Sequence, residues 1–173
     1  MGSSRSRDRL VAGEQNMARK KTWAEKLQDN KDLPRIVDIA GKMSQKWGEG
    51  TCVIPAPKEV DQLMKQVRKG QLVTIRELRQ ALAHRHQATI ACPITTGIFS
   101  WIAAHAAVEA EQQGTRRVTP WWRTLKTGGE LNPKFPGGVE RQRALLEAEG
   151  HSIVTRGQRS FVEEYELSLA SLM

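Results

Sequence analysis

The chain has 173 residues, with 27 Lys and Arg against 19 Asp and Glu and a formal net charge of +8 at pH 7. At about 100–200 residues per domain this is one domain with tails, large enough to fold without a disulfide or a structural metal. Two cysteines, Cys52 and Cys92, exclude a disulfide framework and a Cys-rich zinc site, and no apolar run reaches the ~18 residues of a membrane span. The excess of cations favours a polyanionic partner, usually nucleic acid, and no signal-peptide core follows the basic start. The expectation is a soluble cytoplasmic protein, nucleoid-associated if the source is a bacterium.

Residues 1–21 are polar and basic, with Arg5, Arg7, Arg9, Arg19, Lys20 and Lys21 set against Asp8 and Glu14. Two readings stand: a disordered tail, in which Met17 is the natural start after a vector-derived leader, or a basic arm that grips DNA phosphates. Thr22 is an N-cap for a short helix carrying Trp23, Lys26 and Leu27, which Leu33-Pro34 breaks. Ile36, Ile39, Ala40 and Met43 fall at i, i+3, i+4 and i+7 and predict a second helix ending at Trp47-Gly48. Residues 22–50 thus read as a helical N-terminal extension.

Cys52-Val53-Ile54, followed by Pro55, reads as extended chain. Pro57 opens a helix through Val60, Leu63, Met64 and Val67 that ends at Arg68-Lys69-Gly70. Thr74 and Glu77 form a capping box for a helix burying Ile75, Leu78, Ala81 and Leu82. After the polar stretch His84-Arg85-His86-Gln87, a longer helix runs from about Ile94 to Gln112. Two helices across a modest loop, followed by hairpin-like sequence, predict a helix-turn-helix with a wing. Thr119 to Leu125 reads as a buried extended piece and Lys126 to Glu130 as a turn. Phe135-Pro136-Gly137-Gly138 leads into a helix with Val139, Gln142, Leu145, Leu146 and Ala148, stopped at Gly150. Ile153-Val154, Gly157 and Phe161-Val162 predict a terminal hairpin, followed by a short tail helix. The expected fold is mainly α with a small β wing (α+β), the winged domain spanning residues 51–173.

The Ile94–Gln112 helix carries two contrasting stripes. Ile98, Trp101, Ile102 and His105 make a bulky stripe suited to a core. Thr96, Ser100, Ala103, Ala104 and Ala107 make a stripe of small residues. If exposed, the small stripe would suit close approach to a DNA minor groove, only ~6 Å wide; the alternative is tight packing on another helix.

Several segments carry a resemblance. They are Glu59-Val60 through Lys69-Gly70, Val73-Thr74-Ile75-Arg76-Glu77-Leu78, Pro120-Trp121-Trp122-Arg123, and the long run from Phe135-Pro136-Gly137-Gly138 to Leu145-Leu146-Glu147-Ala148-Glu149-Gly150. Over roughly residues 55–162 the chain resembles the O6-alkylguanine-DNA alkyltransferase family. That resemblance implies a winged helix-turn-helix that binds the minor groove and flips the alkylated guanine into a pocket. There a cysteine in Pro-Cys-His-Arg takes the alkyl group irreversibly. Here Trp121 stands at the acceptor position and Trp122 at the activating His position, and an indole cannot act as a thiolate nucleophile. The resemblance is therefore to the alkyltransferase-like branch, whose site reads Pro-Trp-His-Arg and which binds alkylated DNA without repairing it, handing the lesion to another repair pathway. Trp122 departs from the His of that branch. The family's nucleotide-rotating tyrosine falls at Ile75, and its intercalating arginine at about Thr96.

Read as residues, Trp121 and Trp122 are adjacent on a strand, so one should enter the core and the other line a cleft, where it could stack on a flipped base; two core tryptophans are the alternative. Arg123 either bonds backbone carbonyls or contacts phosphate, and Gly137-Gly138 exposes N–H groups suited to an anion. Pattern and resemblance together imply a base pocket of Pro120, Trp121, Trp122, Arg123, Gly137 and Gly138. They imply DNA contacts from Thr74, Ile75, Arg76, Arg79, Thr95, Thr96, Gly97, Ser100, Ala103, Ala104 and Lys126. Lys69, Arg85, Arg116 and Arg117 are further cations suited to phosphate.

The function so implied is non-catalytic binding of double-stranded DNA, including alkylated DNA, by a monomer that needs no cofactor, metal or membrane. A downstream repair protein would be a second partner. Two alternatives differ in class. Cys92, at a helix N-terminus with His84 and His86 on the preceding loop, would make the chain a suicide alkyltransferase with a relocated acceptor. A winged-helix module binding undamaged DNA or a regulatory protein partner is the other.

Overall fold

The computed structural model describes residues 19–172; most of the segment read above as a tail or arm, residues 1–18, lies outside them. Thr22 caps α1 (Trp23–Gln28) as its spacing predicts. Its hydroxyl accepts the Glu25 N–H at 3.1 Å while the Glu25 carboxylate accepts the Thr22 N–H at 2.9 Å. Such a short helix is marginal alone. It persists because the Glu109 carboxylate accepts the Trp23 and Ala24 N–H groups, both at 3.1 Å, and the Trp23 ring stacks on His105 at 4.4 Å.

The stretch around Ile36 corrects the helical reading. Residues Arg35–Asp38 form a strand, β1, and only Lys42–Trp47 is helical, α2. Ile36 and Val37 are β-branched and favour extended chain, and Gly41, at φ 61°, sits in a conformation no continuous helix accepts. The 3.6-residue spacing was coincidental. β1 pairs antiparallel with β2 (Thr51–Ile54), Arg35 opposite Ile54 and Asp38 opposite Thr51. β2 in turn pairs parallel with β4 (Ile90–Ala91), giving the sheet order β1-β2-β4.

Pro57 opens α3 (Pro57–Lys65) at its first turn, where a missing N–H costs nothing, and the Ala56 N–H is accepted by Glu59 at 2.9 Å. A two-residue strand β3 (Val73–Thr74) leads into α4 (Ile75–Arg85), whose Thr74–Glu77 capping box is present. α5 spans Pro93–Gln112, close to the expected limits. A 3-10 turn over Trp121–Arg123 replaces the extended piece expected there, because Arg123 N–H bonds back to the Pro120 carbonyl at 3.1 Å. β5 (Thr124–Leu125) pairs parallel with β3. α6 (Gly138–Ala148) ends before Gly150 at φ 93°, and the terminal hairpin is β6 (Ile153–Arg156) with β7 (Arg159–Val162). A short 3-10 turn, Tyr165–Ser168, stands where the tail helix was expected. The fold is α+β, with six α-helices among the described residues and small sheets at their ends. The hairpin does not follow α5 directly: it comes after α6, and β7 returns to pair with the 129–131 loop.

The two stripes of α5 are reversed from the groove-facing reading. Thr96, Ser100, Ala103, Ala104 and Ala107 are buried, in one core with Val60, Leu63 and Met64 of α3 and Leu78 and Leu82 of α4. Small side chains let those helices close on α5, and the Thr96 and Ser100 hydroxyls donate to the Cys92 and Gly97 carbonyls at 2.7 and 2.8 Å, so no polar group is stranded. The bulky stripe faces outward. α1 covers its C-terminal part at Trp101 and His105, and its N-terminal part, Ile94 and Ile98, stays 65% and 46% exposed.

Candidate nucleic-acid interface

The bare start of α5 forms one wall of a cleft of about 830 Å³. Ile94, Gly97, Ile98 and Trp101 supply that wall, Ile75 enters from the first turn of α4, and Lys126, Asn132 and Lys134 come from the loops after β5. Arg159 reaches in from β7. The Trp101 indole N–H donates to the Lys134 carbonyl at 3.0 Å, which fixes the loop against the helix. Glu130 is the buried anchor of the rim: Arg159 lies 2.7 Å and Lys126 3.5 Å from its carboxylate. The Arg159 hydrogen bond, aided by Lys126, holds that carboxyl below the ordinary range although burial opposes it. Three cations thus face one carboxylate around an apolar floor.

Gly97 is a specific feature of this wall. A glycine inside a helix costs about 1 kcal/mol relative to alanine, and a Cβ here would meet nothing within 4 Å. Gly97→Ala should therefore raise stability by up to about 1 kcal/mol in a thermal melt. It should also weaken binding of any ligand whose surface touches the helix backbone. A variant that is both more stable and an equally good binder would show that the wall is not used.

The expected site residues divide. Ile75, Gly97 and Lys126 line the cleft, as does the buried Ser100, and Arg76 is exposed beside Ile75. Thr95 is half-buried with its hydroxyl unpartnered among the described residues. Others are closed to a ligand. Thr74 is buried in its capping box, and Thr96, Ala103 and Ala104 are in the core. Arg79 is half-buried and gives one donor, its Nε–H, to the Ala91 carbonyl at 2.9 Å.

None of Pro120, Trp121, Trp122, Arg123, Gly137 and Gly138 lines this cleft. Trp121 is fully buried, edge-on to Trp122 and to Phe135, each at 5.9 Å. Trp122 is half-buried and donates its indole N–H to Glu149 at 3.0 Å. Arg123 is structural: it donates to the Val67 carbonyl at 2.8 Å and to Glu149 at 2.7 Å. Gln142, buried in α6, donates to the Trp122 and Thr124 carbonyls and accepts the Asn132 N–H at 2.8 Å, tying this segment to the loop that rims the cleft. At Gly137, φ 78°, the Arg141 side chain occupies the space a Cβ would need, and the Gly138 N–H is already given to the Phe135 carbonyl at 2.9 Å.

Cys92 is the N-cap residue of α5, half-exposed, beside the buried Cys52 thiol, which burial and then Cys92 push upward. Of the two candidate bases, His86 is bound to Glu59 at 2.5 Å and His84 is in the last turn of α4. The sequence missed Lys134, Asn132, Glu130 and Arg159, because each is brought to the cleft by loop and hairpin placement, for which no local pattern exists.

No protein-family model matches the sequence, and no curated protein matches it. Among solved structures, the chain is similar to the crystal structure of S. pombe Atl1 in complex with damaged DNA containing O6-carboxymethylguanine, at 16% identity and a TM-score of 0.46, over 66% of this chain and 94% of that one.

Proposed function

We propose that this chain binds double-stranded DNA and receives an alkylated guanine in the cleft beside the start of α5, without removing the alkyl group. The observation that carries this reading is the cleft itself: an apolar floor of Ile94, Ile98 and Trp101 rimmed by Lys126, Lys134 and Arg159, within the about 300–1,000 Å³ usual for small-ligand sites. An apolar floor suits an alkyl substituent and a base face, and the cations suit the phosphates on either side. The indole at the position where the resemblance puts an acceptor thiol is consistent with binding in place of transfer. Entry of the base from the minor groove and hand-over to a repair partner extend this reading.

Intact mass after incubation with an O6-methylguanine duplex tests the non-catalytic half. The expected mass is unchanged; a gain of one methyl group would overturn it and make Cys92 the residue to map. Binding is tested by titrating the duplex at several salt concentrations, where log K should fall linearly with log salt. Lys134→Ala should lower that slope by about 1 and leave the melting temperature in place, since Lys134 is exposed and only its carbonyl bonds to Trp101.

A further inference from the structure

The hairpin β6–β7 presents a cationic face, of which only Arg159 reaches the cleft. Arg156 stands opposite Arg159 at its tip, and Val154 opposite Phe161, so the alternation of a strand puts Arg156, Arg159 and Phe161 on one face. The two guanidinium carbons lie 5.5 and 5.1 Å from the Phe161 ring centroid. An arginine held against an aromatic ring loses less side-chain freedom when it meets a ligand than one free in water. Phe161 is in turn anchored, because Leu131 N–H donates to the Ser160 carbonyl and Val162 N–H to the Gly129 carbonyl, each at 2.9 Å. The tip is thus bolted to the loop that rims the cleft, and Arg159 lines that cleft.

The charge balance decides what fits. Arg159, Lys126 and Lys134 line this mouth with Glu130, Arg156 stands opposite Arg159 on the hairpin, and no carboxylate among the described residues pairs with Arg156. Glu130 holds one nitrogen of Arg159 and leaves that side chain 62% exposed. Glu163 and Glu164 lie beyond the other end of β7. A planar donor fork that is fixed, exposed and without a partner matches a phosphate oxygen pair.

We propose that the β6–β7 hairpin is a phosphate clamp: Arg156 and Arg159, propped on Phe161, grip the backbone of a DNA strand laid across the mouth of the α5 cleft. The proposal rests on the DNA-binding reading above. It takes the hairpin as the wing of the domain, supplied from the chain's end rather than from the segment after α5. Contacts of this kind position the duplex and carry no sequence information.

The test is a fluorescence-anisotropy titration of a labelled unmodified duplex at several salt concentrations, with the full chain and its Arg156→Ala and Arg156→Lys variants. The clamp predicts that Arg156→Ala lowers the slope of log K against log salt by about 1, and that Arg156→Lys keeps the slope while weakening binding. The ratio of affinities for O6-methylguanine and plain duplexes should stay constant across the three proteins. If the parent chain binds with a salt-dependent slope and Arg156→Ala is indistinguishable from it, the clamp is overturned and DNA binding stands. Equal binding of a poly-glutamate chain with the same loss in Arg156→Ala would make the tip a general polyanion site and also overturn it. If the parent chain itself shows no salt-sensitive duplex binding, the DNA reading falls and takes the clamp with it.

Discussion

Trp121→Ala is expected to lower the unfolding free energy by about 3–5 kcal/mol, the range for removing a fully buried aromatic side chain. The indole is 0% exposed in a segment that packs on α5 and α6, with Phe135 edge-on at 5.9 Å and Arg141 over its ring at 5.8 Å. Its aromatic neighbours Trp122 and Phe135 are rigid rings, and Trp122 is held by Glu149. The residual cavity therefore adds to the lost transfer energy. Chemical denaturation should show a much lower midpoint with the same slope, and Trp121→Phe should recover part of the loss. A change under about 1 kcal/mol would mean that Trp121 is not packed as described. The consequence for function is direct: loss of DNA binding in Trp121→Ala would report on folding, so the indole cannot be probed as a ligand contact by that substitution.

Glu149 carries the second large effect. Its carboxylate, with a side chain only 8% exposed, accepts from Arg123, from the Trp122 indole and from the Gly70 N–H at 3.3 Å. Burial works to raise this carboxyl, but the Arg123, Trp122 and Gly70 hydrogen bonds outweigh it and hold it below the ordinary carboxylate range. Because the folded value lies below the unfolded one, the stabilisation is fully present above the unfolded value, about 4.3, and is lost as pH falls from there through the folded value. Arg123→Met removes one partner of a buried pair and should cost about 3–5 kcal/mol at neutral pH. Adding Glu149→Leu should return much of that loss, since a half-broken pair is worse than none, and should flatten the acid limb of the stability curve. Denaturation midpoints of the parent, single and double variants from pH 7 to pH 3 check this. An Arg123→Met variant as stable as the parent would show that the pair is not buried.

Local signals in the sequence were reliable where the physics is local. Thr22 and Thr74 cap the helices they should, Pro57 opens α3, Gly150 stops α6, and Gly157 turns the terminal hairpin. Each depends on two to four neighbouring residues. The strand at Ile36 was missed because four apolar residues satisfied a helical spacing while the deciding influence, the free edge of β2, lies some fifteen residues away. The stripes of α5 were open for the same kind of reason. A helix with one small and one bulky apolar face can bury either, and α3 and α1 decide which.

The site was legible only in fragments. Ile75, Gly97 and Lys126 were in reach of pattern and resemblance, since they lie on the two helices and the turn that the helix-turn-helix reading names. Lys134 and Arg159 lie 33 and 58 residues after Trp101, and pairing between β7 and the 129–131 loop places Arg159. The indole pair was read as adjacent strand residues with alternating sides. A 3-10 turn sent Trp121 inward, and Glu149 captured Trp122.

In the proposed function the alkylated base lies against Ile98, on the exposed face of α5, and not against the buried Trp121. A competition titration of an O6-methylguanine duplex against its plain counterpart, run with the parent chain and with Ile98→Ala, measures this most directly. The expected result is a preference of about tenfold or more in the parent, reduced in Ile98→Ala with little change in affinity for plain DNA, because a lost apolar contact to an alkyl group costs about 1–3 kcal/mol. Equal affinity of the parent for both duplexes, or a preference that survives Ile98→Ala intact, would contradict it.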